Sequence, residues 1–102
     1  MSWATPHIEH LQNGRTVRFR PKGNSMRPRI LSGQLVTLVP IRKAESLGVG
    51  AIVLCKVDGK HWLHIVSAVG ADGRLQISNA RGHVNGWCTE RNVYGVVTEV
   101  EA

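Results

Sequence analysis

Ala51-Ile52-Val53-Leu54-Cys55-Lys56-Val57-Asp58-Gly59-Lys60-His61-Trp62-Leu63-His64-Ile65-Val66-Ser67-Ala68-Val69 is the stretch whose reading decides the fold. Residues 51–57 are apolar at six of seven positions, the pattern of a β-strand buried on both faces. Asp58-Gly59 is a two-residue hairpin signal, because a type I′ turn needs positive φ at both central residues. The turn pairs Val57 with Lys60, and the register then sets Val53 opposite His64. The returning strand runs from Lys60 to Val69. A second Asp-Gly pair, Asp72-Gly73, pairs Ala71 with Arg74 and starts a third strand that ends near Asn79. Continued without a bulge, that ladder places Arg81 opposite His64. The stretch therefore predicts a three-stranded meander with His64 on its middle strand.

Working outward, Thr16 to Arg20 alternates and reads as a strand, and Gln34 to Val39 reads as another, closed by Pro40. Residues 42–50 read as a loop or a short turn of helix, and Gly82 to Arg91 as a loop. The last strand is Asn92 to Val100, with Val93, Gly95, Val97 and Glu99 on one face. The start has two readings: Thr5-Pro6 opens a short helix that ends at Asn13-Gly14, or Asn13-Gly14 is itself a hairpin turn. Eleven glycines fall between short β-branched runs, the punctuation of an all-β fold. At 102 residues the chain is one domain by length. The expectation is a mainly β single domain with several antiparallel strands and little helix, residues 1–15 being an N-terminal extension and 16–102 the β domain.

A hydrophobic fraction of 42% against 20% charged places the chain among globular rather than disordered sequences. Thirteen Lys and Arg against seven Asp and Glu give +6, a field that favours anionic partners such as nucleic acid or an acidic protein surface. The basic residues are scattered from Arg15 to Arg91 in runs of no more than two. The aromatics Trp3, Phe19, Trp62, Trp87 and Tyr94 are not spaced as neighbours on one strand face, which disfavours a base-stacking platform. Cys55 lies in an apolar run, the setting of a buried reduced thiol, and with Cys88 far away there is no Cys-x-x-Cys pair to hold zinc. The N-terminus lacks the basic and apolar regions of a secretion signal, and no apolar stretch approaches the ~18 residues of a membrane span. The chain is expected to be cytoplasmic, with no cofactor, no metal and no membrane association.

Ser25 sits in Gly23-Asn24-Ser25-Met26-Arg27-Pro28. A glycine just before a serine permits a sharp turn that projects the hydroxyl, and Pro28 fixes how the turn continues. A nucleophilic serine needs that presentation and a base within hydrogen-bond reach. A Gly/Ser/Pro loop without chemistry fits the same residues. Five histidines can serve as base: His7, His10, His61, His64 and His83. His61 and His64 are three apart on a predicted strand and so face opposite sides, which argues against one shared metal. His64 shares a face with Trp62 and Val66. It reads equally as a partly buried strand histidine held by a neighbour.

The segment from Gly23 to Leu38 resembles the nucleophile segment of LexA-like and signal-peptidase-like serine peptidases, which reads Gly-x-Ser-Met-x-Pro-x-Ile, then Gly-Asp, then alternating valines. Gly50-Ala51-Ile52-Val53 is similar to the next family strand, and Leu63-His64-Ile65-Val66 stands where the family places its base, Lys in bacterial members and His in those of the endoplasmic-reticulum and archaeal type. Asn79 to Gly86 and Val93 to Val97 resemble the late block and closing strand. The resemblance covers about residues 17–100, and small phage-encoded proteins look similar over the same span.

The resemblance implies that Ser25 attacks a peptide carbonyl while His64 accepts and returns the proton. It implies an oxyanion hole from the Ser25 N–H and a donor at Asn24. The sequence departs from the family at Gly33-Gln34 and Gly50-Ala51, where the family has Gly-Asp. No Asp lies between Asp72 and Glu90, where His-type members carry the acid that orients the imidazole. Asn79 or Asn85 could orient it through an amide oxygen instead. Neither a membrane anchor nor an N-terminal DNA-binding domain is expected. The expected function is a serine endopeptidase or self-processing domain with a Ser25–His64 dyad, acting on a peptide or protein. The alternative is an inactive peptidase-like fold that binds a protein, for instance a phage protein directed at a host factor; nucleic-acid binding is the less favoured alternative. A homodimer is compatible with either reading.

Overall fold

A computed structural model of the chain describes residues 2–41 and 47–102. One helix, α1 (Thr5–Gln12), precedes seven strands: β1 (Val17–Phe19), β2 (Leu35–Pro40), β3 (Ile52–Val57), β4 (Lys60–Val69), β5 (Leu75–Ser78), β6 (Val84–Cys88) and β7 (Val93–Glu101). The strands form one antiparallel sheet in the order β1-β2-β7-β3-β4-β5-β6. The fold is mainly β, as the sequence leads one to expect. Of the expected loop at 42–50, residues 42–46 lie outside the described residues, and 47–50 form no strand or helix.

The first hairpin forms in the expected register. Asp58 (φ 49°) and Gly59 (φ 80°) both take the left-handed conformation, Val57 pairs with Lys60, and Val53 faces His64. Alternate residues of β3 point into two core regions. Ile52 and Leu54 join α1, Val36, Leu38 and Leu63; Val53, Cys55 and Val57 join Val66, Leu75, Ile77 and Cys88. β3 is thus buried on both faces. Both cysteines are free and buried.

The second turn differs from expectation. The Gly70 N–H donates to the Arg74 carbonyl at 2.8 Å, so Ala71-Asp72-Gly73 is a three-residue loop and Ala71 does not pair with Arg74. Such loops place a left-handed residue third, and Gly73 has φ +85°. Asp72 stabilises the loop by accepting from the Arg74 N–H at 3.1 Å and meeting its Nε at 3.0 Å. A bulge between Val66 and Ala68 moves the ladder again, so Ile65 faces Ser78. Arg81 therefore does not lie opposite His64; the register brings Asn79 to that level.

Two further corrections follow from sheet geometry. The expected loop at Gly82–Arg91 contains β6. Its Asn85 and Gly86 are poor strand formers, so local preference conceals it, and pairing with β5 imposes the extended form. Gly86 is required there: it has φ +145°, and a Cβ would sit 3.0 Å from Val57 Cγ1. In β7, Val93 and Val97 pack into opposite core regions rather than sharing a face. An irregularity in the pairing with β3, between the Gly95 and Val93 partners, breaks the alternation.

At the N-terminus the helical alternative is the one that forms. α1 has Pro6 in its first turn and ends at Asn13, followed by Gly14 with φ +80°. Ala4, Ile8 and Leu11 are buried in the same core as β1 and β2, so α1 and its lead-in contribute to the core of the β domain. Gly95 makes this docking possible, since a Cβ there would meet Leu11 Cδ1 at 2.9 Å and the Val39 carbonyl oxygen at 3.0 Å. Among the described residues, no helix is long and apolar enough to cross a membrane.

Candidate active site

Ser25 lies on the connection from β1 to β2, which is pinned at its base. Arg20 Nη1 donates to the Gly33 carbonyl at 2.8 Å, and the Gly33 N–H donates to the Pro21 carbonyl at 3.0 Å. Gln34 Oε1 accepts the Leu31 N–H at 2.7 Å, so the Gln34 amide holds the end of the connection. Higher up, Gly23 takes φ +106° and its N–H donates to Ser32 Oγ at 3.2 Å. Met26 and Ile30 turn inward and are 5% and 3% exposed, anchoring the loop in the core beneath α1. Burial of each contributes about 1.5–3 kcal/mol. Ser25, between the glycine and the buried methionine, is left exposed at the crest.

A second loop clamps the first. The Ala80 N–H donates to the Ser25 carbonyl at 3.1 Å, and Arg81 Nη2 donates to the Asn24 carbonyl at 3.2 Å. That loop is shaped by Asn79, whose Oδ1 accepts both the Arg81 and the His83 N–H at 2.9 Å. Asn79 is therefore occupied in building the clamp and does not orient His64. Neither Ala80 nor Arg81 stands out in the sequence as a site residue, because the signal is a tertiary contact between two loops.

His64 rises from the middle of β4 and is 3% exposed, its ring stacked on Trp62 at 4.9 Å. Its Nε2 lies 3.1 Å from Ser25 Oγ, and its Nδ1 lies 2.6 Å from Asn85 Oδ1. An amide oxygen only accepts, so Nδ1 carries the proton and Nε2 offers its lone pair to the Ser25 hydroxyl. Of the three asparagines considered from sequence, Asn85 is the one that reaches the imidazole. Asn24 is exposed, and its carbonyl is taken by Arg81 and by the Arg27 N–H at 3.2 Å. The Ser25 N–H has no acceptor among the described residues.

Burial holds the His64 pKa below the ordinary imidazole value; the Asn85 hydrogen bond opposes that shift and the nearby His83 adds to it. His64 is therefore neutral at pH 7 and able to accept a proton. His61 also lines the cleft into which Ser25 and His64 open, but its Nδ1 lies 2.6 Å from Ser2 Oγ and its ring is edge-on to Tyr94. Among the described residues, no three His, Cys, Asp or Glu side chains gather as a metal site.

Ser25 and His64 open into a cleft of about 530 Å³. Its walls include Trp3, Phe19, Leu31, Trp62 and Leu63. The sequence leaves open whether Trp3 and Trp87 are buried; they are 51% and 41% exposed, and Trp3 lines the cleft. The cleft aromatics come from α1's lead-in, β1 and β4, and their convergence is not visible in strand spacing. Comparison with protein-family models, curated proteins and solved structures finds no match to the chain.

Proposed function

We propose that the protein is a serine endopeptidase or self-processing domain of the LexA/signal-peptidase type, with Ser25 as nucleophile and His64 as general base. The observation that carries this reading is the continuous relay from Ser25 Oγ to His64 Nε2 and from His64 Nδ1 to Asn85, opening into a cleft. A base within hydrogen-bond reach and a cleft beside it are what a nucleophilic serine requires, and they support this reading.

In the proposed reaction, His64 Nε2 takes the Ser25 proton as Oγ attacks a peptide carbonyl bound in the cleft. The Ser25 N–H, which has no acceptor among the described residues, would donate to the developing oxyanion. The imidazolium then gives its proton to the leaving amine, and a water activated by the same nitrogen releases the acyl group from Ser25. Asn85 maintains the tautomer throughout. Its neutral amide supplies no charge to the imidazolium, so the relay is weaker than one ending in a carboxylate.

One observation favours the second reading, a non-catalytic module that binds a peptide in the same cleft. Among the described residues, the groups acting on His64 are Asn85 and His83, neither of them a carboxylate. Incubation with a fluorogenic peptide mixture separates the two readings. Cleavage by wild type that is lost in Ser25→Ala supports the peptidase. Binding of peptides with no cleavage by either protein supports the module.

A further inference from the structure

We infer that the cleft beside Ser25 selects a peptide segment in which a bulky apolar residue lies close to an acidic one. This rests on the reading that the cleft receives a peptide chain. Two features of the lining carry it: its size and apolar character, and its one-sided charge.

Trp3 and Leu31 are 51% and 41% exposed, and both line the cleft. Large apolar side chains left in solvent beside a concave surface mark a place that expects an apolar occupant. Trp3 is held there by design of the fold: its ring meets Phe19 at 6.0 Å, and Ser2 beside it bonds to His61. Trp62, also in the lining, stacks against His64, which places an aromatic surface directly beside the base. The volume of about 530 Å³ falls within the ~300–1,000 Å³ typical of sites for sizeable ligands. An alanine methyl would leave most of this surface wet, whereas Phe or Leu covers it.

The charge is equally one-sided. Arg20 and Lys22 line the cleft, and no Asp or Glu among the described residues does. The chain as a whole carries +6. An acidic residue next to the apolar anchor is attracted to this rim, and a basic one is repelled.

The test uses Ser25→Ala protein, so that binding is read without turnover, and short fluorescein-labelled peptides followed by anisotropy. The peptides carry Phe, Leu or Ala at one central position and Glu or Lys two positions to either side. Phe and Leu peptides with Glu are expected to bind at least about tenfold tighter than the Ala counterpart. Exchanging Glu for Lys should weaken binding several-fold at low salt and less at high salt. Added to Ser25→Ala, Lys22→Glu should shrink or reverse the Glu preference, and Trp3→Ala should shrink the Phe preference. Wild type is assayed for cleavage of the same series. Cleavage or binding without these preferences overturns the inference and leaves the peptide-cleft reading standing. Binding with the preferences but no cleavage overturns the peptidase reading and upholds this one. Neither binding nor cleavage of any peptide overturns both.

Discussion

His64 Nδ1 lies 2.6 Å from Asn85 Oδ1, so a neutral amide fixes the tautomer of the imidazole that faces Ser25. Orientation and charge are thereby separated: the amide supplies the first and not the second. Asn85→Asp should keep the hydrogen bond and add a charge that stabilises the imidazolium, raising the rate of peptide cleavage about tenfold or more. It should also raise the His64 pKa and move the acid limb of the rate profile to higher pH. Asn85→Leu should lower the rate at least about a hundredfold, since the tautomer is no longer held. Steady-state cleavage across pH checks all three. An Asp variant as damaged as the Leu variant would show that Nδ1 is not the controlling contact.

The pH dependence of wild type follows from burial. The His64 pKa lies below its ordinary value of 6.5, chiefly through desolvation. Cleavage needs the neutral ring, so it should persist as pH falls through 6.5 and decline only at the lowered folded pKa. Stability behaves differently. Between the folded pKa and 6.5 the unfolded chain binds more protons than the native one, so stability falls as pH drops through that window and is flat above it. His7 and His61 are also lowered by burial and add in the same direction. Urea unfolding at pH 7 and about pH 5 reads the difference. Equal stability at both would contradict the assignment.

The hairpin at Asp58-Gly59 is legible in the sequence because the turn chemistry and the apolar run agree, and it fixes Val53 opposite His64 without further information. The pairing of Ser25 with His64 is also accessible, through the resemblance of their segments to one family. The orienting residue is not. Choosing Asn85 over Asn79 requires knowing that 84–88 is a strand, and Asn85-Gly86 looks locally like a loop. The loop at Asp72-Gly73 adds a similar difficulty, since Asp-Gly serves two-residue and three-residue loops alike. One residue of error there, and a second at the bulge between Val66 and Ala68, put Arg81 where Asn79 belongs. The cleft walls are invisible for a different reason: Trp3, Phe19 and Trp62 lie on three separate elements that meet only after folding.

Under the proposed mechanism, the contact of the second loop with the Ser25 loop positions the nucleophile. Arg81 donates to the Asn24 carbonyl from an exposed site, so its removal should cost little stability. Arg81→Ala is expected to lower kcat by about three- to tenfold with an unfolding midpoint close to wild type, because the serine is less firmly held against Nε2. Arg81→Lys should restore part of the loss. A parallel fall in kcat and unfolding midpoint would assign Arg81 to the scaffold instead.

Gly95 carries the docking of α1. Gly95→Ala would place a methyl group against Leu11 and the Val39 carbonyl and should destabilise the fold by about 1–3 kcal/mol, read by urea unfolding. Leu11→Ala in the same background should be less harmful than in wild type, since it relieves part of the clash. Additive losses would show that Leu11 is not what the new methyl meets.

Labelling of the protein by a fluorophosphonate tests the Ser25–His64 relay most directly, because the probe reacts with an activated serine and needs no knowledge of the substrate. Intact mass and peptide mapping should find one adduct, on Ser25, in wild type. No adduct is expected in Ser25→Ala, and His64→Ala should label at least about a hundredfold more slowly. Absence of labelling in wild type, or equal labelling of wild type and His64→Ala, would contradict the relay.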